Sequence, residues 1–492
     1  MPGMTRPVGS DAAGAFAVAR KVMAGFRPPT PKQRPAIDYT VPASPGEPLL
    51  EARGPSLGGE IAAARAAMRR GECTARQLVE AALAVVASRD HELGAFAELT
   101  AEAAREEADR CDRERAAGLD GGPLHGIPLT VKDMLHVAGV PTRCGSSSYQ
   151  ELPRHDAIAV AKVRAAGAVL LGKTTTHEFA LGVTTPQARN PHDLERLPGG
   201  SSGGSAIAVA TGMGLVSLGT DTRASVRVPA ALCGVVGFKP TYGHISTGGV
   251  VPLSWTMDHV GVLARTVADA ALVADVCRTA GAPASPAAGA VVGGLRVGVC
   301  EAAFDSADPG VHAGALAAIE QLAALGLAVV RSSRPSRTDL DLASAAGLII
   351  SRCEAATFHR SLGGDPSSYW DEVADQLEAA ASVAATDYLE AQRCRSVLAH
   401  ELLAAFRDFD VLAMPTTLVP APPANDFARY LTLLARNVIP WSLLGFPALT
   451  LPVGGVGGGP EKLPTGLQLV APPGHDPLVI AVASALEQAS AA

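Results

Sequence analysis

Two serine-bearing turns and one lysine are the parts of this sequence that can do chemistry. Residues 199–230 read GGSSGGSAIAVATGMGLVSLGTDTRASVRVPA. Four glycines and three serines open an apolar, helix-like stretch. A helix start of that composition exposes unpaired backbone N–H groups and tolerates close backbone approach. A strand-like run then enters Gly219-Thr220-Asp221-Thr222, which reads as a tight turn carrying Ser225. Two serines on adjoining turns can share a proton path. The same residues can equally be two glycine-rich turns without chemistry, because loops serve both purposes.

Two other patterns overlap these residues or lie near them. Residues 167–174, GAVLLGKT, satisfy the phosphate-loop spacing G-x-x-x-x-G-K-[ST]. That device needs a strand before the loop and a helix after it. Here the middle residues are Ala, Val, Leu and Leu, which read as a strand with a helix ahead of it. The order is reversed and the match is accidental. Gly200-Ser201-Ser202-Gly203-Gly204 satisfies the nucleophile-elbow pattern G-x-S-x-G with Ser202 as nucleophile. The preceding DLERLP is too polar and too proline-bound for a central strand, and nothing singles out His259, His312 or His475 as its base.

A serine hydroxyl is a weak nucleophile until a base takes its proton. No histidine sits in the two serine turns or beside Lys132. A free lysine, with a pKa of about 10.4, is protonated at neutral pH, but burial disfavours the charge and lowers that value. Lys132 ends a short apolar run, 127–131, that follows Gly126 and reads as a buried strand. The competing reading is a surface lysine paired with Asp133, since most lysines are exposed.

Taken together these segments resemble the amidase-signature family. The serine and glycine stretch is similar to GGSSGGS followed by GTD-x-x-x-S-x-R-x-P. Further matches in the family's order are GIPLTVKD around Lys132, GKTTTHEF at 172–179, GFKPT at 237–241, DHVG at 258–261, GFPA at 445–448 and PTGLQL at 464–469. The resemblance runs from about residue 55 to the end and accounts for the false phosphate loop. It implies a triad of Lys132 as base, Ser201 as bridging serine on a cis Gly200–Ser201 peptide, and Ser225 as nucleophile. It implies an oxyanion hole from the backbone of Thr222, Arg223, Ala224 and Ser225. Gly200 and Ser202 would support the first turn. Asp221 and Arg227 would fix the second as a structural pair, with an anionic substrate group as the other destination for Arg227.

The implied activity is hydrolysis of linear carboxamide C–N bonds through an acyl-enzyme, with anilides and carbamates as variants and no metal or cofactor. Family relatives also serve as the glutaminase subunit of tRNA-dependent amidotransferases, which is the alternative. A nonenzymatic binding protein fits poorly with all three triad positions present. One departure stands out. The family usually has glycine at one or both positions before the nucleophile, where this chain has Arg223-Ala224. Arg223 is therefore a candidate gate at the pocket mouth, the alternative being a side chain turned to solvent.

The elements that must hold these residues read as one large α/β domain, a mixed and mostly parallel sheet covered by helices on both faces. Helix and strand alternate at 157–166 and 168–171, at 205–211 and 215–218, and at 315–325 and 328–330, as in parallel architectures. Thr74 is a good N-cap for the helical run after it. A helix is expected at 99–111, residues 338–408 read mostly helical, and 411–413 and 448–453 read as strands. Residues 1–48 form an N-terminal extension, with one short helix at 11–26 and a proline-rich linker, and 49–492 form the catalytic domain.

Composition bounds the partners. The 492 residues carry 41 Lys and Arg against 48 Asp and Glu, a formal charge of −7, and 4% aromatics. Such a chain has no electrostatic footprint for nucleic acid or anionic lipid and few stacking platforms. Eight scattered cysteines read as buried, reduced thiols. No signal peptide and no uncharged apolar run of membrane length is read. The expectation is a cytoplasmic protein acting on a small amide or carbamate, with a homodimer as a possible assembly.

Overall fold

The computed structural model describes residues 12–26, 59–286, 290–363, 366–457 and 462–491. The expected proline-rich linker and the boundary at residue 49 lie outside the described residues. The expected N-terminal helix forms over Ala12–Ala24 and buries Ala12, Phe16, Ala19 and Met23, a single helical face. That face packs on the helices Arg337–Leu362 and Asp371–Ala381.

Local signals start the main body. Thr74 Oγ1 accepts from Gln77 N at 3.0 Å while Thr74 N donates to Gln77 Oε1 at 2.9 Å. This capping box opens the helix Ala75–Leu93, and Gly94 closes it with a φ of 65°. The helix expected at 99–111 forms over Ala101–Ala116, and a short strand occupies the residues just before it.

Eleven strands form one sheet. They are β1 (Phe96–Leu99), β2 (Pro128–Lys132), β3 (Val169–Thr174), β4 (Val216–Asp221), β5 (Val236–Lys239), β6 (His259–Ala264), β7 (Arg296–Cys300), β8 (Ala328–Ser332), β9 (Val411–Pro415), β10 (Ala448–Val456) and β11 (Leu463–Val470). Their spatial order is β1-β3-β2-β4-β6-β5-β10-β11-β9-β7-β8. The sheet is mixed, as expected, but less parallel than the alternation of elements suggested. Parallel pairing is confined to β3-β2-β4 and to β9-β7-β8. Everything between those blocks is antiparallel. The helix–strand rhythm revealed the two blocks, whereas the centre is built from β5, β6 and the β10–β11 hairpin, which that rhythm does not mark.

Strands β2, β3, β4, β5, β6 and β9 are buried at every position. Only helices can cover strands that are apolar on both faces. Ala101–Ala116 packs on β3, Gly203–Thr211 on β4, Val267–Cys277 on β6, and Pro309–Ala324 and Asp476–Ala491 on β10. The edge strands β1 and β8 are partly exposed. All eight cysteines are free thiols. Among the described residues, no helix is long and apolar enough to cross a membrane.

Candidate active site

The site lies at the ends of β2 and β4, parallel neighbours in register at Val131 and Leu218. Lys132 is the last residue of β2 and is wholly buried. Its Nζ donates to Ser201 Oγ at 2.8 Å and to Thr220 Oγ1, near the end of β4, at 2.7 Å. Burial pushes the lysine pKa down to about 7, and the carboxylates of Asp221 and Asp258 offset only part of that. The surface reading of Lys132 is overturned. Asp133 pairs instead with Lys173 Nζ at 2.8 Å, in a buried ion pair that also engages Thr142. The lysine of the accidental phosphate loop thus has a structural partner and lies within β3.

The Gly200–Ser201 peptide is cis. A Cβ at Gly200 would lie 2.0 Å from the Thr184 carbonyl oxygen, so no other residue fits this turn. Ser202 follows as N-cap of Gly203–Thr211, and its Oγ donates to Thr220 O at 3.2 Å. No strand leads into this turn, so the elbow reading of Ser202 lacks its scaffold. Ser202 N donates to Ser225 O at 3.2 Å, which ties the two serine turns together.

Ser225 sits between β4 and the short helix Arg227–Cys233. It is 5% exposed, and its hydroxyl forms no hydrogen bond among the described residues. The backbone N–H groups of Thr222, Arg223, Ala224 and Ser225 likewise donate to no described residue, which leaves them available to an oxyanion. The Lys132–Ser201 half of the expected relay is therefore closed, and Ser201 and Ser225 approach without a direct hydroxyl–hydroxyl bond.

The turn is held from behind by Asp221 and Arg227, both fully buried. Arg227 Nε and Nη2 reach the two Asp221 oxygens at 2.9 and 3.0 Å. Its remaining donors go to Val438 O, Gln468 Oε1 and Ser442 Oγ. Burial raises the Asp221 pKa, but the adjacent guanidinium outweighs it and holds the carboxyl well below the usual carboxylate range. With every Arg227 donor used, an anionic substrate group has no place on it. Arg227 is the structural pair only.

Arg223 differs. It is half-buried, and its Nε is sealed from water without a partner. Burial pushes its pKa down to about 10.

Two features escaped the sequence reading. Thr220 is the second acceptor for Lys132. Asp258 accepts from Thr222 Oγ1 at 2.6 Å and from the backbone of Leu253 and Ser254, and burial pushes its pKa up to about 7. It lies in the DHVG segment, a signal that was visible but carried no assigned role. One cluster outside the site, Cys111, Glu114 and His125, gathers metal-ligand atoms within 4.8 Å of one another. Both His125 ring nitrogens already meet the backbone, at Cys111 O and Gly121 N, and burial pushes the Cys111 thiol up.

The large mixed sheet sets a buried lysine against a glycine- and serine-rich turn. The family model for amidases matches residues 77–480, and the chain belongs to the amidase family, enzymes that act on carbon–nitrogen bonds. It is 39% identical over 479 residues to a glutamyl-tRNA(Gln) amidotransferase subunit from Synechococcus sp. (strain WH7803), covering 87% of this chain and 97% of the relative. A crystal structure of an amidase superposes with a TM-score of 0.79 at 37% identity, covering 87% of this chain and 99% of that one. The corresponding glutamyl-tRNA(Gln) amidotransferase subunit of Thermotoga maritima superposes with a TM-score of 0.69 at 29% identity, covering 84% and 91%.

Proposed function

We propose that this chain hydrolyses the C–N bond of a linear carboxamide, with Ser225 as nucleophile, Ser201 as proton relay and Lys132 as base. The observation that carries this reading is the 2.8 Å bond from Lys132 Nζ to Ser201 Oγ, at a site where burial brings the lysine pKa to about 7. A lysine that is half neutral near pH 7 can take a proton, and general bases work best when their pKa lies near the working pH. Ser201 gives its proton to Lys132 and takes one from Ser225. Ser225 Oγ bonds to the carbonyl carbon, and the backbone N–H groups of 222–225 receive the oxyanion. The proton returns through Ser201 to the leaving nitrogen as the C–N bond breaks. Water then cleaves the acyl-enzyme by the same route and releases the acid.

A second reading is favoured by the names of the relatives: the glutaminase-type subunit of an amidotransferase, with glutamine as the amide and partner subunits receiving the ammonia. Those names support it better than they support an anilide or carbamate hydrolase. The test is a hydrolysis screen of the purified chain over aliphatic amides, aryl anilides, carbamates and glutamine, with Ser225→Ala as blank. Turnover of simple amides supports the first reading, and ammonia release from glutamine alone supports the second. Turnover that survives Ser225→Ala contradicts both.

A further inference from the structure

Asp258 is a buried carboxylate that the proposed proton path does not use. The sheet brings it to the serine turn. β4 and β6 pair antiparallel with Asp221 opposite His259. Thr222 and Asp258 each lie one residue beyond that pair, so they leave the sheet side by side. Thr222 Oγ1 donates to Asp258 Oδ1 at 2.6 Å. Thr222 is the first residue of the turn 222–225, whose backbone N–H groups are proposed to receive the oxyanion. The bond therefore grips that turn at its start.

The carboxylate is itself held on both oxygens. Leu253 N donates to Oδ2 at 3.0 Å, and Ser254 N reaches Oδ1 and Oδ2 at 3.0 and 3.1 Å. Ser254 Oγ donates in turn to Glu354 Oε2 at 2.7 Å, on the helix Arg337–Leu362. Glu354 also accepts from Thr256 Oγ1 at 2.8 Å and from Tyr388 OH at 2.9 Å. Thr222 thus supplies the side-chain donor to an acceptor that the backbone has already fixed.

This junction is costly to the fold. Asp258 is 6% exposed, and among the described residues no cation forms an ion pair with it. Asp221, on the same turn, has Arg227 as its counter-ion. Burial pushes the Asp258 pKa up against the pull of its hydrogen bonds, and the charge of Glu354 adds to the rise. Burying an unpaired charge is expensive, and such groups gather where a site needs them. What the charge supplies is acceptor strength, because hydrogen bonds to ionised groups are shorter and stronger than neutral ones. Donors for an oxyanion act best when they are set in place before the reaction begins.

We propose that Asp258 is a positioning residue for the oxyanion turn, fixing the backbone N–H groups of 222–225 through the Thr222 hydroxyl. The assignment rests on the reading of Ser225 as nucleophile, since that reading gives the turn its task.

The test compares Thr222→Val, which removes the hydroxyl and keeps the shape, with Thr222→Ser, which keeps the hydroxyl. Asp258→Asn leaves one acceptor oxygen where the site needs two. The double variant Thr222→Val/Asp258→Asn completes a cycle. Two readouts are taken, hydrolysis of butyramide and the rate at which a fluorophosphonate labels Ser225, with thermal transitions alongside. Each single variant should lower kcat and the labelling rate about tenfold or more, with KM changed far less. Thr222→Ser should recover most of the loss. The double variant should be no slower than the slower single, because both changes break one bond. A Thr222→Val protein that labels and turns over like wild type overturns the assignment. So does a loss confined to KM, or losses that add in the double variant. If Asp258→Asn does not fold, the two Thr222 variants decide. If wild type labels at Ser225 without hydrolysing butyramide, the labelling rates decide. No label on Ser225 in the wild-type protein refutes the reading of Ser225 and the positioning with it, whereas a labelled wild type with unaltered variants overturns the positioning alone.

Discussion

The two ends of the turn that carries Ser225 treat positive charge in opposite ways. On the floor, Arg227 spends every donor on Asp221, Ser442, Gln468 and a backbone carbonyl, and Lys132 is set against two hydroxyls. Four residues earlier on the same turn, Arg223 keeps a sealed Nε without a partner. A satisfied buried cation holds structure together, whereas an unsatisfied one is held ready for something else. The contrast separates an arginine that builds the turn from one that the turn does not use.

The largest expected effect comes from the base. Lys132→Ala should lower kcat/KM by about 10²–10⁴-fold, the usual contribution of a general base. Lys132→Arg should not rescue it, because arginine stays charged. Near wild-type turnover in the arginine variant would assign Lys132 to the structural floor beside Arg227. The next effect is on stability. Arg227→Ala leaves Asp221 buried without its partner and should cost about 3–5 kcal/mol, read by denaturant unfolding. A loss below ~1 kcal/mol would mean that the floor is not held by this pair.

The pH profile has a smaller reach. Lys132 acts when neutral and its pKa lies at about 7, so kcat/KM should fall about tenfold per pH unit below 7 and level off above it. The level region should end only where other groups begin to titrate. A profile flat down to pH 5 would contradict a lysine base, because a protonated Lys132 cannot accept from Ser201. The smallest effect is at Arg223. Arg223→Gly should shift thermal stability by no more than ~1 kcal/mol, the entropic cost of the glycine. It should change the ratio of kcat/KM between charged and neutral amides. An unchanged ratio would return Arg223 to the class of inert side chains and erase the contrast.

The sequence was most informative where structure is local. Thr74 announced the helix that follows it, residues 11–26 announced a short helix, and the apolar run before Lys132 announced a buried strand. The reversed order around Gly172-Lys173-Thr174 was enough to dismiss a phosphate loop, and the strand there bears this out. Less was legible where contacts join distant segments. The antiparallel centre of the sheet depends on pairings such as Thr450 with Gly237, which no local period encodes. Thr220 meets Lys132 only because β2 and β4 lie side by side. Arg352, on a helix read from the sequence only as part of a mostly helical stretch, reaches the Leu181 carbonyl from 171 positions away in the chain. Residues that meet through tertiary packing carry no mark in their own neighbourhoods.

The central claim is that Ser225 is the nucleophile, served by Ser201 and Lys132. Its most direct measurement is mass-spectrometric mapping of the protein after reaction with a serine-directed fluorophosphonate, run in parallel on Lys132→Ala. The account predicts one adduct, on Ser225, that forms far more slowly in the lysine variant. An adduct on Ser202 with Ser225 left free, or labelling of Ser225 at an equal rate without Lys132, would contradict it.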